Sequence, residues 1–135
     1  KRFITEVTLR RKGTSQVVRV LNTHFIPGAF KAHRGLRRRY WNTGLKRLKR
    51  RVWAATQNSK IDLIVVTGDM NRAIRRGRLI RGTVGGAKFT MHPSNRQNSI
   101  DQVYVGSRAP HARGYDVSKK PTASDHERLT VKFRR

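Results

Sequence analysis

Four short corners of this chain carry residue types that can act on a phosphate ester: Asn22-Thr23-His24, Gly68-Asp69-Met70-Asn71, Ile100-Asp101 and Ser124-Asp125-His126. Together they hold Asp69, Asp101 and Asp125 out of only seven acidic residues, and His24 and His126 out of five histidines. Carboxylates, an amide and imidazoles suit a hard divalent cation and the activation of water against phosphorus. A histidine beside a carboxylate also suits general acid–base work, because the carboxylate fixes its tautomer and raises its basicity. There is no cysteine, so disulfides and thiolate metal sites are excluded. His92 and His111 fall in loop-type sequence and carry no comparable signal.

Each corner flanks a predicted strand. Ile61 to Val66 is an apolar, β-branched run of the kind buried on both faces, and it ends at Gly68. Asp69 and Asn71 therefore fall at the carboxyl end of a strand, where open α/β sheets bind their ligands. In isolation an Asp after a Gly is equally a turn residue. Upstream, Lys1 to Arg11 alternates, Lys12-Gly13-Thr14-Ser15 is a turn signal, and Gln16 to Phe25 resumes β-rich sequence, which predicts an antiparallel hairpin ending near His24. Downstream strands are predicted over 88–91, 99–105, 115–117 and 128–133, with Asp101 near the start of one and Asp125-His126 just before the last.

Between the hairpin and the buried run, from about Gly35 to Asn58, Trp41, Leu45, Leu48, Val52 and Ala55 recur at helical spacing. Asn42-Thr43-Gly44 weakens the middle and predicts a kink or a late start there. Arg37, Arg38, Arg39, Lys46, Arg47, Lys49, Arg50 and Arg51 fill much of the remaining surface with no acid among them, which reads as a phosphate-contacting ridge. Residues 72–86 form a second basic stretch, rich in Arg and Gly and containing Arg75, Arg76 and Arg78, with one short helical turn predicted near Ala73–Leu79. The expected nucleic-acid contacts are Arg37, Arg38, Arg39, Lys46, Arg47, Arg50, Arg75, Arg76 and Arg78.

Thirty-two Lys and Arg against seven Asp and Glu give a formal charge of +25 over 135 residues. Such an excess repels itself unless a polyanion is near, and nucleic acid is the first partner to expect. Apolar content is 36%, yet the apolar runs argue for one folded domain with a single core. No segment approaches membrane-spanning length and no signal-peptide pattern opens the chain, so membrane insertion is not expected. An intracellular setting or a nucleoprotein particle is favoured over secretion. The chain opens on Lys1 and is expected to be part of a longer product.

In order and spacing the four corners resemble the C-terminal half of the endonuclease/exonuclease/phosphatase superfamily, the DNase I-like fold. The resemblance covers essentially the whole chain: a hairpin ending Asn-Thr-His-Phe, an Arg-rich helix, a strand ending Gly-Asp-Met-Asn, a strand with Ile-Asp, and a terminal Ser-Asp-His. It implies an α/β fold, half of a DNase I-like sandwich, with a mostly antiparallel or mixed sheet and a long basic helix packed on it. Residues 1–135 would then be the C-terminal portion of a domain whose N-terminal half lies upstream or on another chain, covering an otherwise open sheet face.

The resemblance also implies roles. His126 would be the general base or the imidazole on the phosphate side, oriented by Asp101; Asp69 would align or deprotonate the attacking water; Asn71 would hold water or a phosphate oxygen; His24 would stabilise the pentacovalent transition state. Asp125, with Asp69, would belong to the site of Mg2+ or Mn2+. The principal metal ligand of these proteins is a Glu from the N-terminal half, which this chain does not contain, and Glu6 and Glu127 lie outside the motif. The expected function is metal-dependent phosphodiester hydrolysis, with the charge favouring a DNA endonuclease over an enzyme of small headgroups. The alternative is a non-catalytic nucleic-acid-binding or structural protein that retains the half-fold. A ribosomal-type basic protein matches in size and charge but has no use for the Asp and His corners.

Overall fold

Alternating sequence at the start of the chain folds as a hairpin in the computed structural model, which describes residues 2–73, 79–80, 83–85, 87–91, 100–107, 115–120 and 128–133. Strands β1 (Ile4–Arg10) and β2 (Val17–His24) pair antiparallel around a turn with Gly13 at φ 73°, closed by the Arg11 N–H donating to the Gln16 carbonyl at 3.0 Å. The chain then crosses over through helix α1 (Gly35–Gln57) and returns as β3 (Leu63–Asp69), parallel to β2. Downstream, β4 (Thr83–Val84) and β5 (Ala87–Met91) form a hairpin, and β6 (Asp101–Ser107) fits between β5 and β3, antiparallel to both. The result is a mixed six-stranded sheet in the order β1-β2-β3-β6-β5-β4. Strands β7 (Tyr115–Lys120) and β8 (Arg128–Phe133) form a separate antiparallel pair. The chain is an α/β protein.

Helix α1 covers one face of the sheet. Trp41, Leu48, Val52 and Ala55 pack into one core with Leu21 of β2, Ile64 and Val66 of β3, and Tyr104 of β6. Burial of this apolar stripe, at roughly 25 cal/mol per Å2, is what fixes the helix to the sheet. The helix does not break at Asn42-Thr43-Gly44. A Cβ on Gly44 would lie 3.3 Å from Phe25 Cε1, so the missing side chain is what lets the Phe25 ring reach the helix. The Thr43 hydroxyl turns back to the Arg39 carbonyl at 2.9 Å, satisfying itself within the helix.

By strand alternation the residues between those core positions face away from α1. Leu63, Val65, Val103 and Val105 form a second apolar cluster there, with Val18 and Val20 packed against it. The centre of this face is buried, whereas Val7 and Leu9, opposite Val20 and Val18 in register, are 44% and 51% exposed. The apolar surface is thus open along β1.

Two of the scarce acids have structural work. Glu6 receives Arg19 of β2 and, at 3.5 Å, Arg51 of α1, tying edge strand, neighbour strand and helix together. Asp62 accepts the Val17 N–H at 2.7 Å while its own N–H donates to the Val17 carbonyl, which aligns the starts of β2 and β3.

Candidate functional site

The apolar run predicts a strand that stops before Gly68, but β3 continues through Gly68 and Asp69. Gly68 pairs with Thr23 on one side and Gln102 on the other, at φ 144°. A Cβ there would sit 1.8 Å from the Thr23 carbonyl oxygen, a separation no side chain survives. Glycine is therefore what lets β3 run one residue further and carry Asp69 into the ladder.

Once in the ladder, Asp69 is the register partner of His24 in β2 and of Asp101 in β6. Parallel and antiparallel partners alike project to a common face, so the three side chains belong to one row across adjacent strands, on the face turned away from α1. His24 Nε2 lies 3.4 Å from Asp69 Oδ2, with the imidazole 54% exposed and the carboxylate 15% exposed. An accessible imidazole thus stands beside a largely sheltered carboxylate at the end of the sheet. Such a pair can hold a water or bind an anionic oxygen.

The turn that follows is fastened from several sides. Asp69 Oδ1 accepts the Asn71 N–H at 2.7 Å, an Asx-turn, and Asn71 takes the left-handed conformation at φ 48°. Asn71 Nδ2 donates to the Phe25 carbonyl at 2.9 Å, and the Phe25 N–H donates to the Asp69 carbonyl at 2.9 Å. The Met70 N–H donates to the Ile100 carbonyl at 2.8 Å, while its carbonyl accepts the indole N–H of Trp41 at 2.8 Å. The side chain of Asn71, expected to contact substrate, thus uses one amide N–H to join the exits of β2 and β3.

The basic residues divide in a way their spacing did not reveal. Arg37 donates to the Pro27 carbonyl at 3.2 Å and Arg38 lies 5.8 Å from the Phe30 ring centre, so both hold the segment entering α1. Arg72 is stacked over Phe30 at 4.6 Å, with Phe30 edge-on to Trp41. Arg39, Lys46, Arg47 and Arg50 are exposed. They are carried by a helix that lies on the opposite side of the sheet from His24 and Asp69. Arg75, Arg76, Arg78, Asp125 and His126 lie outside the described residues, as does most of the helical turn expected near 73–79.

A supporting group absent from the sequence reading lies on the helix side of β6. The Tyr104 hydroxyl bonds to Gln102 Oε1 and accepts the Leu79 N–H at 3.1 Å, while Gln102 Nε2 donates to the Arg72 carbonyl at 2.6 Å. Both side chains are buried, and together they hold the Arg72 carbonyl and the Leu79 N–H. Only their placement two apart in a strand beside a basic loop hinted at this.

The carboxylates of Asp69 and Asp101 are of the right type for Mg2+ or Mn2+. Among the described residues, however, no three His, Asp or Glu side chains come together as a metal site. Comparison with known proteins finds no matching family model, no similar curated protein and no similar solved structure.

Proposed function

We propose that this chain is the C-terminal half of a DNase I-like α/β sandwich and that its His24–Asp69 corner serves metal-dependent hydrolysis of phosphodiesters in nucleic acid, as a DNA endonuclease. The observation that supports this is the convergence of His24, Asp69 and Asp101 on one end of three neighbouring strands, although they lie far apart in sequence. The charge of +25 supports a long polyanion as substrate.

In this reading Asp69, fixed by the Asx-turn, orients the attacking water and takes its proton. His24, exposed beside it, donates to a non-bridging phosphate oxygen as charge builds there. Water adds to phosphorus in line with the departing oxygen, which leaves with a proton from an imidazole; Asp101 orients His126 for that role. Mg2+ or Mn2+, held by Asp69 and Asp125 with a Glu from outside the chain, would polarise the phosphoryl group. The N-terminal half of the fold, or another chain, would cover the apolar surface left open along β1, where Phe3, Val7 and Leu9 are exposed.

A second reading is a nucleic-acid-binding or structural protein that keeps the half-fold without hydrolysis. It is favoured by the engagement of Glu6 with Arg19 and Arg51, which leaves that acid in a structural role. Nicking of supercoiled plasmid by the chain joined to its N-terminal half, with Mg2+ and with chelator, separates the two. Hydrolysis predicts Mg2+-dependent nicking that disappears in Asp69→Asn and His126→Ala. Retardation of DNA without nicking by the parent supports the second reading.

A further inference from the structure

The outward surface of α1 has a property that the corner does not explain. Tyr40 and Trp53 stand 59% and 56% exposed on the helix, although both are large aromatic side chains. They are separated by thirteen positions, about 20 Å along the axis. The surface between and beside them carries Arg39, Lys46, Arg47 and Arg50, all exposed, and the helix contains no acidic residue. A solvated helix face normally alternates charges and leaves aromatics out; a protein-docking face gathers its apolar residues into a patch. Here Trp53 follows Lys49 and Arg50 by one turn of the helix, and Tyr40 follows exposed Leu36 and Arg37. Cations that follow a phosphate backbone, interleaved with aromatics on which bases stack, are what sequence-tolerant binding of a single strand requires.

The position of this ridge matters as much as its composition. Trp41, Leu48 and Val52 face the sheet, so Arg50 and Trp53 point away from it. His24 and Asp69 belong to the other face. A strand lying on α1 is therefore not the stretch whose phosphate reaches the corner.

We propose that the outer face of α1 is a second nucleic-acid surface, which binds single-stranded nucleic acid by phosphate contacts from Arg39, Lys46, Arg47 and Arg50 and by base stacking on Trp53 and Tyr40. This surface is independent of hydrolysis and stands whether or not the corner cuts anything. It gives the protein a grip on one segment while its other face is free for another.

The test measures binding of a fluorescently labelled oligo(dT) by anisotropy, with heparin as a polyanion lacking bases and anionic phosphatidylserine vesicles as a membrane surface. Trp53→Ala is expected to weaken oligo(dT) binding by about tenfold and Trp53→Phe much less, with heparin binding unchanged in both. Arg50→Glu is expected to weaken oligo(dT) and heparin together, because it removes a phosphate contact. Asp69→Asn, on the opposite face, is expected to bind as the parent does, and would lose hydrolysis alone. Trp53 and Arg50 are exposed, so melting temperatures should stay close to the parent's. The proposal is overturned if Trp53→Ala and Tyr40→Ala bind oligo(dT) like the parent, or if they lose heparin by the same factor. Preferential burial of Trp53 in the vesicles would also overturn it, in favour of a membrane surface.

Discussion

His24 and Asp69 face one another across the parallel pair β2–β3, Nε2 to Oδ2 3.4 Å apart, although 45 positions separate them in sequence. Parallel pairing requires a crossover, and α1 is that crossover. The helix therefore brings the histidine and the carboxylate together without touching either. Anything that disturbs the β2–β3 register moves the pair apart.

Gly68 is the position most sensitive to this. Its Cβ would meet the Thr23 carbonyl at 1.8 Å, and its φ of 144° is unfavourable for any other residue. Gly68→Ala is expected to lower stability by about 3 kcal/mol or more, since both the clash and the backbone strain act at once. Urea unfolding followed by circular dichroism measures the loss. Parent-like stability would mean that the strands do not approach as closely as described.

Asn71 separates scaffold from chemistry. Asn71→Gly keeps the left-handed conformation but loses the bond to the Phe25 carbonyl, and should cost about 1 kcal/mol. Asn71→Ala loses the bond and also strains φ at 48°, for about 2 kcal/mol in all. The ordering Asn, Gly, Ala in urea midpoint is the expected result. An Ala variant as stable as the Gly variant would contradict the turn geometry.

Tyr104→Phe removes a buried hydroxyl that serves both Gln102 and the Leu79 N–H. With the ring retained, the expected cost is about 1–3 kcal/mol from the polar groups left without it. The urea midpoint reads this loss directly. A Tyr104→Phe variant as stable as the parent would remove the hydroxyl from this role.

These relationships mark where sequence reasoning reached and where it stopped. The β-branched run at Ile61 to Val66, the hairpin around Gly13 and the stripe from Trp41 to Ala55 are local patterns, and burial follows directly from their period. The passage of β3 through Gly68 was not legible, because glycine is read as a breaker unless the backbone beside it is known. The same holds for Asn42-Thr43-Gly44, whose weak propensity is offset by the Phe25 ring lying against Gly44. His24, Asp69 and Asp101 were each legible as strand-end residues. Their alignment in one row depends on strand pairing, which no local pattern encodes. Glu6 and Asp62 carried no signal, since an acid bound to a distant arginine or backbone N–H looks the same in sequence as any other. The cations of α1 were legible as a ridge, but the side of the sheet they occupy was not.

The central claim is that His24 and Asp69 act together on a phosphodiester. A double-mutant cycle on the rate of Mg2+-dependent plasmid cleavage tests it most directly, using His24→Ala, Asp69→Asn and both together in the chain joined to the N-terminal half proposed for the fold. Each single change is expected to lower the rate by about a hundredfold or more, and the double change to fall no further than the worse single one, as groups working on one event do. Cleavage at the parent's rate by Asp69→Asn, or single losses that multiply in full, would contradict the account.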